Sequence, residues 1–328
     1  MRLFVTGGAG YVGSHCVRAL LAAGHSVTVF DNLSFGHRGA VHPDAAFVKG
    51  DLSDTKTLKE ILTAGRFDGA LHFAASTMVG ESVTDPLKYW RNNVSHTLSL
   101  LEAMQAAGVK RLVFSSTCAV FGEPATLPIH EELPKQPINP YGCTKFAVEM
   151  MLADSCGAWG LGAIALRYFN ACGAASDGSI GEDHKPETHL IPLILQVALG
   201  QRESIKVFGN DYPTPDGSCI RDYIHVEDLA DAHRRALEAI VPGRFDSFNV
   251  GTGRGMSVLE VINACRAVTG HAIPAVQVER RPGDPPSLYA DPRKIKTKLG
   301  WSPKFTEIVD VVRSAWNWHS ARPNGFHD

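Results

Sequence analysis

Six short apolar runs punctuate the first half of the chain: RLFVTG (2–7), SVTVFD (26–31), AFVKGD (46–51), GALHFAA (69–75), RLVFSS (111–116) and GAIALRYF (162–169). Amphipathic stretches of ten or more residues separate most of them, and that rhythm predicts βαβ units and a parallel sheet. The runs are nearly continuous in Val, Leu, Phe and Ala rather than alternating, so both sheet faces are expected to lie under helices. The predicted class is α/β, with a doubly wound sheet domain over residues 1–167. Beyond LRYFNACGA the rhythm breaks into a loop-like ASDGSIGEDHKPETH, a helical LIPLILQVALG and the strand and turn IKVFGNDYPTPDG. A smaller mixed α/β domain is expected over 168–217 and 246–328, with a segment near 218–245, HVEDLADAHRRALEAI within it, returning to the first. MSVLEVINACRAVTG and TEIVDVVRSAWNWH supply helices to the smaller domain.

Gly7, Gly10 and Gly13 follow the first run and open the first helical stretch. Glycines there permit a tight turn and close backbone approach to a pyrophosphate, whose charge the helix N-terminus favours. Asp31 ends the second run, eighteen residues after Gly13. A carboxylate at that place accepts hydrogen bonds from an adenosine ribose and repels a 2′-phosphate, so this Rossmann-type fingerprint points to NAD over NADP. Asp51, ending the third run, reads either as a contact to the adenine side or as a turn acid capping the next helix.

Composition narrows the class. The chain has 328 residues, 44% hydrophobic and 20% charged, with net charge −2; no broad basic field invites nucleic acid. Its seven cysteines include no CxxC spacing, which argues against a disulfide framework and a zinc site, and no metal is expected. No apolar run approaches the ~20 residues of a membrane span. With no leader-like start, the cytoplasm is the expected compartment.

NPYGCTK places Tyr141 and Lys145 one helical turn apart. A free phenol, with a pKa of ~10, is a poor base at neutral pH. A nearby ammonium and the positive charge of an oxidised nicotinamide favour the phenolate, which makes Tyr141 a candidate for exchanging a proton with a substrate hydroxyl. The run ending in Ser115, Ser116 and Thr117 brings hydroxyls to the edge where parallel sheets bind ligands; Ser115 and Ser116 read equally well as turn residues.

TGGAGYVGSH, HFAASTMVGES, NNVSHT, FSSTCAVFGEP, PYGCTK, LRYFNACGA, FGNDYPTPDGSCIRDYIHVEDLA and NVGTGRGMSV together resemble the extended short-chain dehydrogenase/reductase family. Within it, the branch of UDP-glucose (UDP-galactose) 4-epimerases is the most similar, over essentially the whole chain. The resemblance implies catalytic roles for Tyr141, Lys145 and Thr117. It implies cofactor contacts at Gly7, Gly10, Tyr11, Val12, Gly13, Asp31, Asn32, Asp51, Leu52, Phe73, Ala74, Ala75, Asn93, Ser115 and Tyr168, in addition to Tyr141 and Lys145. UDP-sugar contacts are implied at Asn170, His189, Leu190, Phe208, Arg221, Tyr223, Arg281, Asp284 and Leu288, with Arg221 and Arg281 on the diphosphate and Asp284 on the uridine ribose. The implied reaction inverts C4 through a 4-keto sugar while tightly held NAD keeps the hydride.

Related dehydratases need an extra acid or base beside the threonine; Cys118 and Ala119 stand there instead. Thr77, His189 and Leu288 depart from common epimerase choices. Leu288 has an intermediate size at a place that gates N-acetyl groups, which favours UDP-glucose and UDP-galactose and leaves UDP-N-acetylhexosamines and UDP-pentoses as the alternative. A non-catalytic NAD-binding sensor is the reading from another class. DPLKYWRNNVSHTLSLLEAMQAAG and PYGCTKFAVEMMLADS read as helices with more apolar residues than one covered face needs, much of which helical core accounts for; the resemblance, whose matching helices pair across a dimer, implies a homodimer.

Overall fold

The computed structural model describes residues 1–281 and 284–327. The first βαβ stretch comprises β1 (Arg2–Thr6), α1 (Tyr11–Ala22), β2 (Ser26–Asp31), β3 (Ala46–Lys49), α2 (Thr55–Gly65) and β4 (Gly69–His72). There follow α3 (Val79–Thr84), α4 (Pro86–Tyr89), α5 (His96–Ala107), β5 (Arg111–Thr117), α6 (Pro140–Trp159) and β6 (Gly162–Tyr168). The remainder carries β7 (Asn170–Cys172), α7 (Leu190–Ala198), β8 (Ile205–Phe208), β9 (Ile220–His225), α8 (Val226–Ala239), β10 (Phe245–Val250) and β11 (Gly255–Ser257). It ends with α9 (Val258–Thr269), β12 (Ala275–Val278), β13 (Ser287–Leu288), α10 (Arg293–Leu299) and α11 (Ile308–Ala321).

Seven strands form one parallel sheet in the order β10-β6-β5-β4-β1-β2-β3. The chain winds one way from β1 to β3 and the other way from β4 onward, so a topological switch point opens between the carboxyl ends of β1 and β4. Two apolar clusters cover the two faces. One sets Leu3, Val5, Val29, Leu71 and Val113 against α1 and α8; the other sets Phe4, Phe30, Ala70, Leu112 and Phe114 against α2, α5 and α6. Strands buried on both faces need apolar side chains at successive positions, which is why β1, β4, β5 and β6 are so readable.

The pairing redraws the expected boundaries. β10 is the seventh strand of the large sheet, in register with β6 from Phe245↔Ala163 to Val250↔Tyr168, although 246 onward was assigned to the smaller domain. Its sequence, FDSFNV, is interrupted by Asp246, Ser247 and Asn249, so it lacks the continuous apolar signal of a doubly covered strand. Conversely β9, inside the expected return segment, pairs with β7, β11 and β13 in a separate small sheet. A later return was not expected at all: Ile295 and Trp301 are fully buried in the cluster of Leu3 and Leu20, with the Trp301 indole donating to the Asp228 carbonyl at 2.9 Å. The smaller half has its own core, where α7, α9 and α11 enclose Ile194, Leu195, Ile262 and Val312.

The segment 86–107 was expected to be one ordinary helix. Instead Trp90–Ser95 forms a π-helical turn between α4 and α5, the kind of local widening that re-aims a side chain. Here it turns Asn93 inward.

Candidate functional site

Every large-sheet strand that carries a candidate residue ends at the same edge. Gly7 follows β1, Asp31 closes β2, Phe73 follows β4, Thr117 closes β5 and Tyr168 closes β6.

The glycines divide by what they face. Gly7 has φ +71°, and a Cβ there would stand 2.5 Å from the Ala74 nitrogen; a Cβ on Gly13 would stand 2.1 Å from the Gly7 carbonyl oxygen. The fold itself therefore requires these two. At Gly10 a Cβ would meet only the Gly7 oxygen, at 3.4 Å. The protein leaves that space open beside the first turn of α1, whose N-cap, Gly10, supplies no side-chain cap. This is a cradle a pyrophosphate fits, against the backbone of Tyr11, Val12 and Gly13. Asp31 is nearly buried and its carboxylate accepts from the Ala9 nitrogen at 3.0 Å and the Leu33 nitrogen at 2.8 Å. Burial raises its pKa from the usual carboxyl value against those two bonds. The carboxylate thus ties the glycine loop to β2 and keeps lone pairs for a ribose. Asn32 donates to Asp51 at 2.7 Å across the ends of β2 and β3.

Tyr141 owes its place to the start of α6. Asn139 caps the helix by accepting from the Gly142 nitrogen at 2.9 Å, and Pro140 sets the first helical position. Gly142 lets this turn press on the loop after β5, since a Cβ there would stand 2.6 Å from the Ala119 oxygen. Burial pushes the Tyr141 phenol up to about 12, against a smaller lowering by the Thr117 hydroxyl. Lys145, fully enclosed, donates to the Ser115 carbonyl at 2.8 Å and lies 4.9 Å from the Phe114 ring centroid and 5.9 Å from that of Tyr141. Burial brings its ammonium down to about 7. The expected depression of the phenol by Lys145 is therefore not what the polypeptide alone produces: the ammonium is aimed at a carbonyl, and desolvation dominates both groups.

Other candidates fall into place less simply. Asn93 is saturated by protein partners: it accepts from the Ser76 nitrogen at 2.8 Å and donates to the Ser76 carbonyl at 3.0 Å and to Thr144 at 3.2 Å. It holds the loop after β4, which carries Ala74 and Ala75, to α6. The Leu52 side chain is sunk in the core beneath α2. Phe73 packs against His233, centroids 4.8 Å apart, and the Ser115 and Tyr168 hydroxyls touch.

On the substrate side, Asn170 is exposed at the first position of β7. Arg221 and Asp284, expected to act on different parts of a ligand, form an ion pair at 2.5 Å. Arg281 stacks over Phe208 at 4.0 Å, so a guanidinium covers one face of that ring. Leu288 pairs with Arg221 and packs on Val120, Phe121 and Ile129, under the turn that follows Thr117. Leu190 opens α7 and packs on the smaller half's core. Tyr223 packs into that same core, where burial raises its pKa. His189 has one ring nitrogen against Glu182.

A family model described as the NAD dependent epimerase/dehydratase family matches residues 3–251. A UDP-glucose 4-epimerase of Halalkalibacterium halodurans is 54% identical over 99% of this chain and 98% of its own length. The crystal structure of UDP-glucose 4-epimerase from Brucella ovis in complex with NAD is 47% identical, with a TM-score of 0.92 over 96% of this chain and 97% of that one. That of the Bifidobacterium longum enzyme with NAD+ and UDP is 38% identical, with a TM-score of 0.95 over 99% and 100%. The chain belongs to the NAD dependent epimerase/dehydratase family.

Within this epimerase/dehydratase frame, three features escaped the sequence reading. Gly142 sets the approach of α6. Glu149, one turn beyond Lys145, accepts from Ser116 at 2.6 Å and from Arg167 at 2.9 Å and 2.5 Å, binding α6 to β5 and β6. His72 lies 2.6 Å from the Thr6 hydroxyl and 2.8 Å from that of Thr97. Because Thr97 donates to the Asn93 carbonyl, it accepts from His72 Nε2, and Thr6 donates to Nδ1. Burial, with Lys145 nearby, lowers this ring to about 3 and keeps it neutral.

Proposed function

We propose that this chain interconverts UDP-glucose and UDP-galactose by inverting C4, with NAD as a retained cofactor. The observation that carries the reading is the buried Tyr141 phenol near the Thr117 hydroxyl at the carboxyl edge of the large sheet, the edge that also carries the open Gly10 cradle. NAD, when bound, takes the C4 hydride and gives it back. Tyr141 accepts the proton of the 4-hydroxyl and returns it to the same oxygen once the 4-keto sugar has turned its opposite face towards the cofactor. Thr117 steadies the reacting oxygen through its hydroxyl. Lys145 anchors the nicotinamide ribose and, with the cofactor's positive charge, favours the phenolate. Arg221 turns from Asp284 towards the diphosphate, and Arg281 does so from Phe208.

Dehydration is disfavoured beside Thr117, because burial pushes the Cys118 thiol up to about 12 and Ala119 has no titrating group. A wider sugar range remains the second reading, resting on Leu288 beside that turn. The large sheet would hold NAD and the smaller half the UDP-sugar. Val79, Val83, Leu87, Trp90, Leu98 and Met150 are exposed on helices α3 to α6 and the turn between them, which supports a homodimer through this face. The seven free cysteines fit a reducing cytoplasm; among the described residues no helix is long and apolar enough to cross a membrane.

The test is to incubate purified protein with UDP-galactose, without added NAD, and follow UDP-glucose by chromatography. Conversion is expected. None, even after NAD is supplied, overturns the reading. Sedimentation that shows only monomer at micromolar concentration overturns the dimer.

A further inference from the structure

The loop from β7 to α7 holds Glu182, His184 and Glu187, which the epimerase reading does not use, beside His189, which the resemblance sets near the UDP-sugar. Glu182, His184, Glu187 and His189 each turn one donor atom towards a common point, and the four atoms all lie within 4.8 Å of one another. His184 Nδ1 is 3.3 Å from Glu182 Oε1 and 3.7 Å from Glu187 Oε2. His189 Nδ1 touches the same Glu182 oxygen. Both imidazoles thus lean on one Glu182 oxygen while His184 also faces Glu187, which crowds the four donors together. Bonds of about 2.0–2.2 Å to a central ion give tetrahedral edges of about 3.4 Å, which the two His184 separations approach.

The surroundings aim the donors. The other Glu187 oxygen accepts from the Thr188 and His189 nitrogens at 2.7 and 2.8 Å, which directs Oε2 inward. Glu182 is almost fully buried, and its carbonyl accepts from the Trp318 indole at 3.3 Å. Two carboxylates balance a divalent charge while both imidazoles stay neutral. Imidazole and carboxylate together suit zinc better than calcium or magnesium.

We propose that Glu182, His184, Glu187 and His189 form a closed, tetrahedral site for one zinc-class divalent cation. With four protein ligands the ion is structural. It fastens the loop where Arg18 of α1 meets Asp177 at 2.6 Å and where the Phe326 nitrogen reaches Asp183 at 2.9 Å. Helix α7 starts directly after His189. The absence of metal expected from cysteine spacing would then have missed a site built from EDHKPETH alone.

Full-length protein is loaded with Zn2+, desalted and analysed for metal by mass spectrometry, beside His184→Gln and Glu187→Gln. About one zinc per chain is expected in the parent and below roughly a tenth in either variant. Chelation should lower the Tm of the parent, and Co2+ in place of zinc should give the intense visible bands of a tetrahedral ion. Zinc below roughly a tenth per chain in the parent, or undiminished in a folded His184→Gln protein, overturns the site; so does a weak, octahedral Co2+ spectrum.

Discussion

The Arg167 guanidinium forks onto the Glu149 carboxylate at 2.9 and 2.5 Å, with both side chains almost entirely removed from water. The pair sits one turn beyond Lys145 and also receives the Ser116 hydroxyl, so it fixes how α6 meets the strands that carry Thr117 and Tyr168. Removing one partner strands the other charge. Glu149→Leu should cost about 3–5 kcal/mol, whereas Glu149→Leu with Arg167→Met should recover most of that loss. Urea unfolding of the two variants checks this, and a single variant as stable as the parent would contradict it.

Gly7 and Gly10 predict opposite outcomes for the same substitution. Gly7→Ala forces a Cβ onto the Ala74 backbone at φ +71° and should destabilise the fold by several kcal/mol. Gly10→Ala meets only one protein atom, at 3.4 Å; it should leave the Tm within a few degrees and weaken NAD retention instead. Bound nucleotide released on denaturation, measured by absorbance, separates the two.

Tyr141→Phe should lower kcat by about 10²–10⁴-fold while the purified protein keeps its nucleotide. Undiminished turnover would remove the phenol from the proton path. Gly142→Ala acts through position: lifting α6 off the Ala119 carbonyl, 2.6 Å from the added carbon, should reduce kcat more than it raises KM.

His233 is buried, donates from Nδ1 to the Leu229 carbonyl and has no partner at Nε2. Burial lowers its pKa to about 4. The unfolded chain takes up a proton below about 6.5 that the folded ring refuses, so this site adds stability above about 6.5 that is lost as pH falls towards 4. His233→Phe should flatten the acid limb, gaining on the parent by up to about 1.4 kcal/mol per pH unit over that window. Parallel stability curves for the two proteins would refute it.

What the sequence discloses follows from how local each signal is. β1, β4 and β5 are legible because burial on both faces demands unbroken apolar runs, and Gly7 with Asp31 because one βαβ unit contains them. β10 is hidden by its polar edge, and the π-helical turn at Asn93 by a composition that suits any helix. The Arg221–Asp284 pair joins residues 63 apart, which no window along the chain reveals. The EDHKPETH cluster escaped because metal was sought through cysteine.

The late returns of the chain bear on its synthesis. The large sheet gains its seventh strand only when Phe245–Val250 exists, and Trp301 closes the cluster around Leu3 later still. A nascent chain emerging at about 5–20 residues per second thus holds six paired strands with an uncovered edge and an unsealed face for many seconds. Until then the β6 edge has no partner on its open side.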